Sequence, residues 1–435
     1  MEPLSLGAIA ILVVMFLVTV RVPVAIALFL VAFGGMWMSR GLPFALIQAQ
    51  LVPFATVSTY TFVVVPMFIL MGAIMSSSGV VKELYHFAQL SLARFRGSLY
   101  HATVVGSTLF AAISGSTIVN SAMFTKIAMP EMMDRDYNKA FAAGCIAGVG
   151  TLAALIPPSL SFIIFGILTG ESIGRLLVAG ILPGMLTAAL FMMAIAVMLR
   201  WKPHWAPHIE EIPPLREKLR ALRAIWPVML LILLVLGGIY SGIMPPSGAG
   251  AVGVVGAIVI ALARRKLSAR DFGESVESTL GLTAALFFII IGGALFSRFL
   301  LTSGFIGDVN DFMAANAVTP MVFLGMIIVL YLVLGMFVDP ISIMVMTLPF
   351  LFPVSQAMGI DPIWFGVVVV KLVEIAVISP PVGMNLFAVV SASEGQVETK
   401  DVFAGILPFI VAEVICLVLI FAFPVIATFL SDSMG

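Results

Sequence analysis

Long apolar runs, broken by short polar stretches, dominate the pattern along this chain. The runs 4–20, 179–199, 225–240, 248–262, 280–296 and 402–430 each approach or exceed the roughly 20 residues that cross the hydrocarbon of a bilayer. The first half predicts spans near 4–20, 24–38 and 61–77, then an amphipathic stretch near 80–98. An interrupted apolar region (100–130), a broken span (139–168) and a span near 178–199 complete it. The second half predicts spans near 225–241, 247–263 and 279–301 and an amphipathic stretch near 304–318. An interrupted region (320–355), a broken span (362–391) and a last span (402–430) follow.

The interrupted regions hold segments too short to cross alone. As helices, 101–113 and 118–129 are each about 20 Å long, and Ser114-Gly115-Ser116-Thr117 joins them. A re-entrant hairpin with a polar tip fits this pattern, and one span with a polar kink is the alternative. The second hairpin has a longer first arm, 320–336, with its tip near Gly335–Pro340.

The halves repeat one another. Ala179-Gly180-Ile181-Leu182-Pro183 recurs as Ala404-Gly405-Ile406-Leu407-Pro408, at an offset of about 225. In the same order, Ile156-Pro157-Pro158-Ser159 corresponds to Ser379-Pro380-Pro381-Val382, Ser78-Gly79 to Ser303-Gly304, Pro130 to Pro353, and Pro23 to Pro246. The expected fold is therefore an all-α polytopic membrane protein with two repeats of five spans plus one hairpin. The first covers 1–223, including a cytoplasmic linker, with its core at about 100–170; the second covers 224–435, with its core at about 319–391.

Charge sets the orientation. With the N-terminus outside, every Lys and Arg except Arg40, Arg175, Arg298 and Lys371 falls in a cytoplasmic segment, as the positive-inside rule prefers. Loops 200–223 and 264–278 are then cytoplasmic, and both termini are periplasmic. Because five is odd, the halves run in opposite directions, the inverted repeat of secondary transporters. Glu2 and Pro3 precede the first run, which is expected to be a permanent span because a cleavable signal begins with a basic region.

Composition agrees with the pattern. The chain is 61% hydrophobic and 10% charged, against about 25% charged in soluble domains. Zero formal net charge gives no sign of nucleic-acid binding. No P-loop, His-Glu-x-x-His or Gly-x-Ser-x-Gly motif is present, so nothing points to ATP hydrolysis, an organic cofactor or an enzyme. Cys145 and Cys416 lie in apolar runs and read as small buried hydrophobes. His204 and His208 have metal-like spacing, but Pro203 and Pro207 break the helix it would need.

The chemistry is expected where the broken spans meet the tips. Gly150-Thr151 and Pro157-Pro158-Ser159 break one span, and Ser379-Pro380-Pro381-Val382-Gly383 breaks the other. Proline lacks an N–H, so carbonyls one turn earlier lose their partners and must be satisfied by protein, water or a cation. Ser114, Ser116, Thr117 and Asn120 surround the first tip. Asp339, before Pro340, is either a helix cap or a functional acid. Lys371 and Glu374 lie one turn apart and read as a local ion pair, with a proton relay as the alternative.

Gly150-Thr151-Leu152 through Ser159, Ala179 through Gly184, Gly335 through Asp339 and Ser379 through Asn385 together resemble the large membrane subunit of tripartite ATP-independent periplasmic (TRAP) transporters. The likeness runs over essentially the whole chain. It implies an elevator fold in the bacterial inner membrane, with a core of hairpins and broken helices sliding against a scaffold. It also implies a small four-span membrane subunit, a periplasmic binding protein, and a small carboxylate substrate such as a C4-dicarboxylate or a sialic acid. By the same resemblance, one of two Na⁺ sites would use Ser114 and Thr117 with the backbone of Ala153, Ile156 and Pro158. The other would use Gly335, Ala376, Ser379 and Val382. The substrate would lie between the tips, near Ser116, Asn120, Ser159, Asp339, Gly383 and Asn385. Pro245-Pro246-Ser247-Gly248-Ala249 departs from the family's Thr-Pro-Thr-Glu-Ala, Ser379 replaces the usual Thr, and Ala153 takes a place often held by Gly. A stand-alone dicarboxylate/Na⁺ symporter, an intramembrane enzyme and a structural membrane partner are the competing readings.

Overall fold

The computed structural model describes residues 3–207 and 213–434, and every regular element among them is helical. Glu2 and His208 lie outside the described residues. Helices α1 (Pro3–Thr19) and α2 (Val24–Arg40) follow the first two apolar runs. The pattern gave no sign of α3 (Leu42–Val57), whose hydropathy is interrupted by Gln48, Gln50 and the internal Pro53. Then come α4 (Val64–Ser77), α5 (Val80–Leu92), α6 (Ser98–Ser114) and α7 (Thr117–Asp134). The first broken span is α8 (Lys139–Gly150), α9 (Leu152–Leu155) and α10 (Leu160–Thr169), bent by 41° between α9 and α10. Helices α11 (Ile173–Ala179) and α12 (Ile181–Trp201) close this half.

The second half begins with α13 (Leu215–Tyr240), α14 (Pro246–Ala263), α15 (Ala269–Ser303) and α16 (Phe305–Ala315). Both α13 and α15 start earlier than hydropathy predicts. Arg216, Lys218, Arg220 and Arg223 ride on the first turns of α13, and a Ser268–Asp271 capping box starts α15 at a polar end. Next are α17 (Pro320–Gly335), α18 (Pro340–Ala357), α19 (Pro362–Ile378) and α20 (Met384–Ala392). The chain closes with α21 (Thr399–Ala422) and α22 (Val425–Asp432).

Seven described helical segments are long and apolar enough to cross a membrane, and the bent pair makes an eighth. Large apolar side chains such as Leu12, Phe54, Leu233 and Val418 stand more than half exposed, as a lipid-facing surface requires. At the end of the bundle rich in basic residues, Glu83 on α5 pairs with Arg264 and Lys266 in the turn between α14 and α15.

Both interrupted regions fold back as helical hairpins. The Asn120 amide donates to Ser107 Oγ at 2.9 Å, a contact that a continuous helix holds about 20 Å apart. In the second hairpin, the Tyr331 and Thr347 hydroxyls meet at 2.7 Å across the two arms. The hairpins and broken spans then exchange partners: α20 packs on α7, and α10 on α18. Outside this core, α2 lies along α15 and α14 along α4. Helices α8 and α21 cross with backbones in contact, because a Cβ on Gly144 would strike the Gly405 backbone and one on Gly405 would strike the Ala140 carbonyl.

Candidate functional site

At the first break, Pro157 and Pro158 determine which carbonyls are free. The helical partner of the Ala153 carbonyl would be the N–H of residue 157, which proline lacks. The Ala154 carbonyl, deprived in the same way by Pro158, is satisfied by the Ser159 hydroxyl. Ser159 Oγ also accepts from Phe162 N–H at 3.3 Å, so it caps α10. Among the described residues the carbonyls of Ile156 and Pro158 accept no hydrogen bond. The Pro157–Pro158 and Pro380–Pro381 peptide bonds are both cis.

The first tip docks on this break. Gly115 holds φ at +61°, its carbonyl accepts from Leu160 N–H at 3.3 Å, and a Cβ there would lie 2.5 Å from the Pro158 oxygen. Ser114 beside it is buried, and its hydroxyl has no hydrogen-bond partner among the described residues. Thr117 is also buried, and its carbonyl lies 3.1 Å from where a Cβ of Gly150 would stand. The tip residue Gly115 thus meets Pro158, and Thr117 meets Gly150.

The second break repeats the arrangement with different detail. The second-hairpin arm meets the broken span at Gly335, where a Cβ would collide with that of Ala376. The Ala376 carbonyl accepts from Ser379 N–H at 3.1 Å, and Ser379 Oγ donates to the Ile375 carbonyl at 2.6 Å. Among the described residues the carbonyls of Gly335 and Val382 accept no hydrogen bond. Gly383, at φ +63°, turns the chain into α20.

The substrate candidates divide. Asp339 accepts from Ser342 N–H at 3.0 Å and caps α18, and Ser159 caps α10. Ser116 is half-buried at the start of α7. The Asn120 amide group is engaged with Ser107 and the Val149 carbonyl, while its Oδ1 is unpartnered. Asn385 is fully buried with neither amide atom partnered, and it points at Gly150. Two further residues were absent from the sequence reading. Ser121 Oγ sits against Gly150, Ser342 lies at the start of α18, and both are buried hydroxyls without partners among the described residues. Their signal was their place one turn inside each hairpin. Ser121 and Asn385 thus meet at Gly150 as buried polar groups without partners among the described residues, an arrangement that is uncommon in a folded interior.

The expected local Lys371–Glu374 pair is not formed. Lys371 is ion-paired with Glu413 of α21 and donates to Thr187 Oγ1 of α12 at 2.7 Å, while neither carboxylate oxygen of Glu374 has a hydrogen-bond partner among the described residues. The i,i+3 rule weighs only one helix, and here tertiary packing decides. Glu413 could have been noticed as the one charged residue inside the apolar run 402–430.

Residues 11–426 match the model of the tripartite ATP-independent periplasmic transporter, DctM component. The chain belongs to that family. It is a transporter permease rather than an enzyme, a multi-pass membrane protein and one component of a three-part system. It is 34% identical to the C4-dicarboxylate TRAP transporter large permease DctM of Pseudomonas aeruginosa, over 88% of each chain. It is 29% identical to the sialic acid TRAP transporter large permease SiaM of Vibrio cholerae, over 92% of this chain and 93% of that one. The crystal structure of the Alcanivorax borkumensis YdaH transporter has the same general fold, with a TM-score of 0.60 at 15% identity, covering 87% of this chain and 90% of that one.

Proposed function

We propose that this permease carries a small organic anion inward, coupled to Na⁺, after a periplasmic binding protein delivers it and while a small four-span membrane subunit supports the scaffold. The observation that carries the reading is that each hairpin docks on a break with free carbonyls and a nearby hydroxyl in sequence: Gly115, next to the unpartnered Ser114, lies on the Pro158 oxygen, and Gly335 lies on Ala376, three residues before Ser379. Neutral hard oxygens of this kind suit a small hard cation. The sites hold no acid of their own, so bound cations leave positive charge for a carboxylate, whose transfer into low dielectric is otherwise costly. The names of the relatives favour a C4-dicarboxylate or a sialic acid.

The domain division is part of the same reading. Residues 1–223 and 224–435 are inverted repeats, and the crossed packing of α20 on α7 and α10 on α18, with α2 on α15 and α14 on α4, supports it. The hairpins and broken spans would then slide as an elevator core within an inner-membrane scaffold, both termini facing the periplasm. Single cysteines at Leu219 and Ser433, both exposed, test the orientation in whole cells. An impermeant thiol reagent is expected to label Ser433→Cys and spare Leu219→Cys; the reverse pattern contradicts the orientation, and labelling of both or of neither contradicts the inversion.

In liposomes with an inward Na⁺ gradient, the chain alone is expected to take up little labelled succinate or sialic acid. Adding the small subunit and the binding protein is expected to raise uptake at least about tenfold, the gain of converting a weak encounter into delivered substrate. Saturable uptake by the chain alone would favour the stand-alone symporter.

A further inference from the structure

The polar network behind the two breaks links them across the core. Glu413 of α21 uses both carboxylate oxygens: one accepts from the Thr151 hydroxyl at 2.6 Å, and the other holds the Lys371 ammonium. Thr151 is the joint between α8 and α9, two residues before Ala153, and its hydroxyl also faces the Gly148 carbonyl at 2.8 Å. Lys371 stands on α19 little more than a turn before Ala376. Its ammonium also donates to Thr187, whose own hydroxyl donates to the Pro183 carbonyl at 2.8 Å. Thr151, Thr187, Lys371 and Glu413 are all fully buried.

Stability alone does not explain this arrangement. A buried ion pair adds little over well-packed apolar residues of the same volume, because desolvation offsets the attraction; its attested use is to fix one arrangement among several. Here the fixed quantity is the position of the α8–α9 joint relative to α19. Those elements carry the carbonyls assigned to the two cations.

We propose that Glu413 is a positioning residue that couples the two cation sites, with Thr151 and Lys371 as its arms. The inference rests on the Na⁺-coupled reading. A cation drawing in the Ala153–Pro158 carbonyls shifts the joint at Thr151. Glu413 transmits that shift to Lys371 and so to the Ala376–Val382 segment. Coupling of this kind is reciprocal, and it appears as cooperative Na⁺ binding.

Equilibrium binding of radioactive sodium to the purified full chain tests this without any substrate. The parent is expected to bind with a Hill coefficient above 1. Thr151→Val removes the hydroxyl while keeping the shape, and is expected to bring the coefficient down to 1; Thr151→Ser is expected to restore it. The double variant Lys371→Met/Glu413→Gln removes both charges of the pair together, so neither is left without the other, and is expected to match the parent in melting temperature while also binding with a coefficient of 1. A merely structural network would lower the melting temperature and leave the coefficient of the folded fraction unchanged, and that result would overturn the proposal. So would a parent coefficient of 1. A parent that binds no sodium at all would instead remove the underlying Na⁺ reading.

Discussion

Uptake by Gly115→Val is expected to fall about a hundredfold, with the folded yield of the chain largely kept. Gly115 is the apex of the first tip, at φ +61° with the Pro158 oxygen 2.5 Å from any added Cβ. A β-branched residue is penalised by about 1–2 kcal/mol in the left-handed region, and overpacking adds about 1–3 kcal/mol. The tip can relieve this strain by lifting off the break, losing the hydrogen bond from Leu160 N–H to its carbonyl. That movement takes the tip away from the Pro158 carbonyl while leaving the arms of α6 and α7 joined through Asn120 and Ser107. Transport measured beside size-exclusion behaviour separates the two effects. A variant that transports normally would show that contact between tip and break is not needed.

The second large effect is expected in stability, and it distinguishes two buried acids on neighbouring helices. Glu413→Ala leaves the Lys371 ammonium fully buried with Thr187 as its remaining assigned partner. Breaking a buried pair from one side costs about 3–5 kcal/mol, a large share of the about 5–15 kcal/mol by which a domain is stable. Glu374→Gln is expected to be tolerated, since neither oxygen of Glu374 has a hydrogen-bond partner to lose among the described residues. Thermal melting in detergent with both variants side by side checks the contrast. Equal losses in the two would mean that Glu374 shares the charge of Lys371 along with Glu413.

Much of the architecture was legible because membrane segments have few ways to satisfy their backbone. A Ser-Gly-Ser-Thr insert in an apolar run and a Pro-Pro pair in a helix leave polar groups that must be answered inside the protein. Both hairpins and both broken spans therefore stood out. Helix α3 did not, since Gln48, Gln50 and Pro53 dilute its hydropathy. The early starts of α13 and α15 were hidden because their first turns are charged and extend past the apolar run. Around the breaks, Gly115 meets Pro158 and Gly335 meets Ala376, neighbours of residues that the sequence singles out. The partner of Lys371 was not readable, because it lies on another helix far along the chain and no local spacing encodes it. Ser121, Ser342 and the cap roles of Ser159 and Asp339 likewise emerge only once the helices are in place.

The central claim is that a cation gradient acting through the two carbonyl-lined breaks drives uptake. It is tested most directly by measuring labelled succinate and sialic acid uptake into liposomes holding the permease with both partner proteins, under imposed Na⁺ or pH gradients. Accumulation under an inward Na⁺ gradient at equal pH, with more than one Na⁺ per substrate and none in Na⁺-free buffer, is the expected result. Accumulation driven by a pH gradient in Na⁺-free buffer, and abolished by Glu374→Gln, would contradict the account.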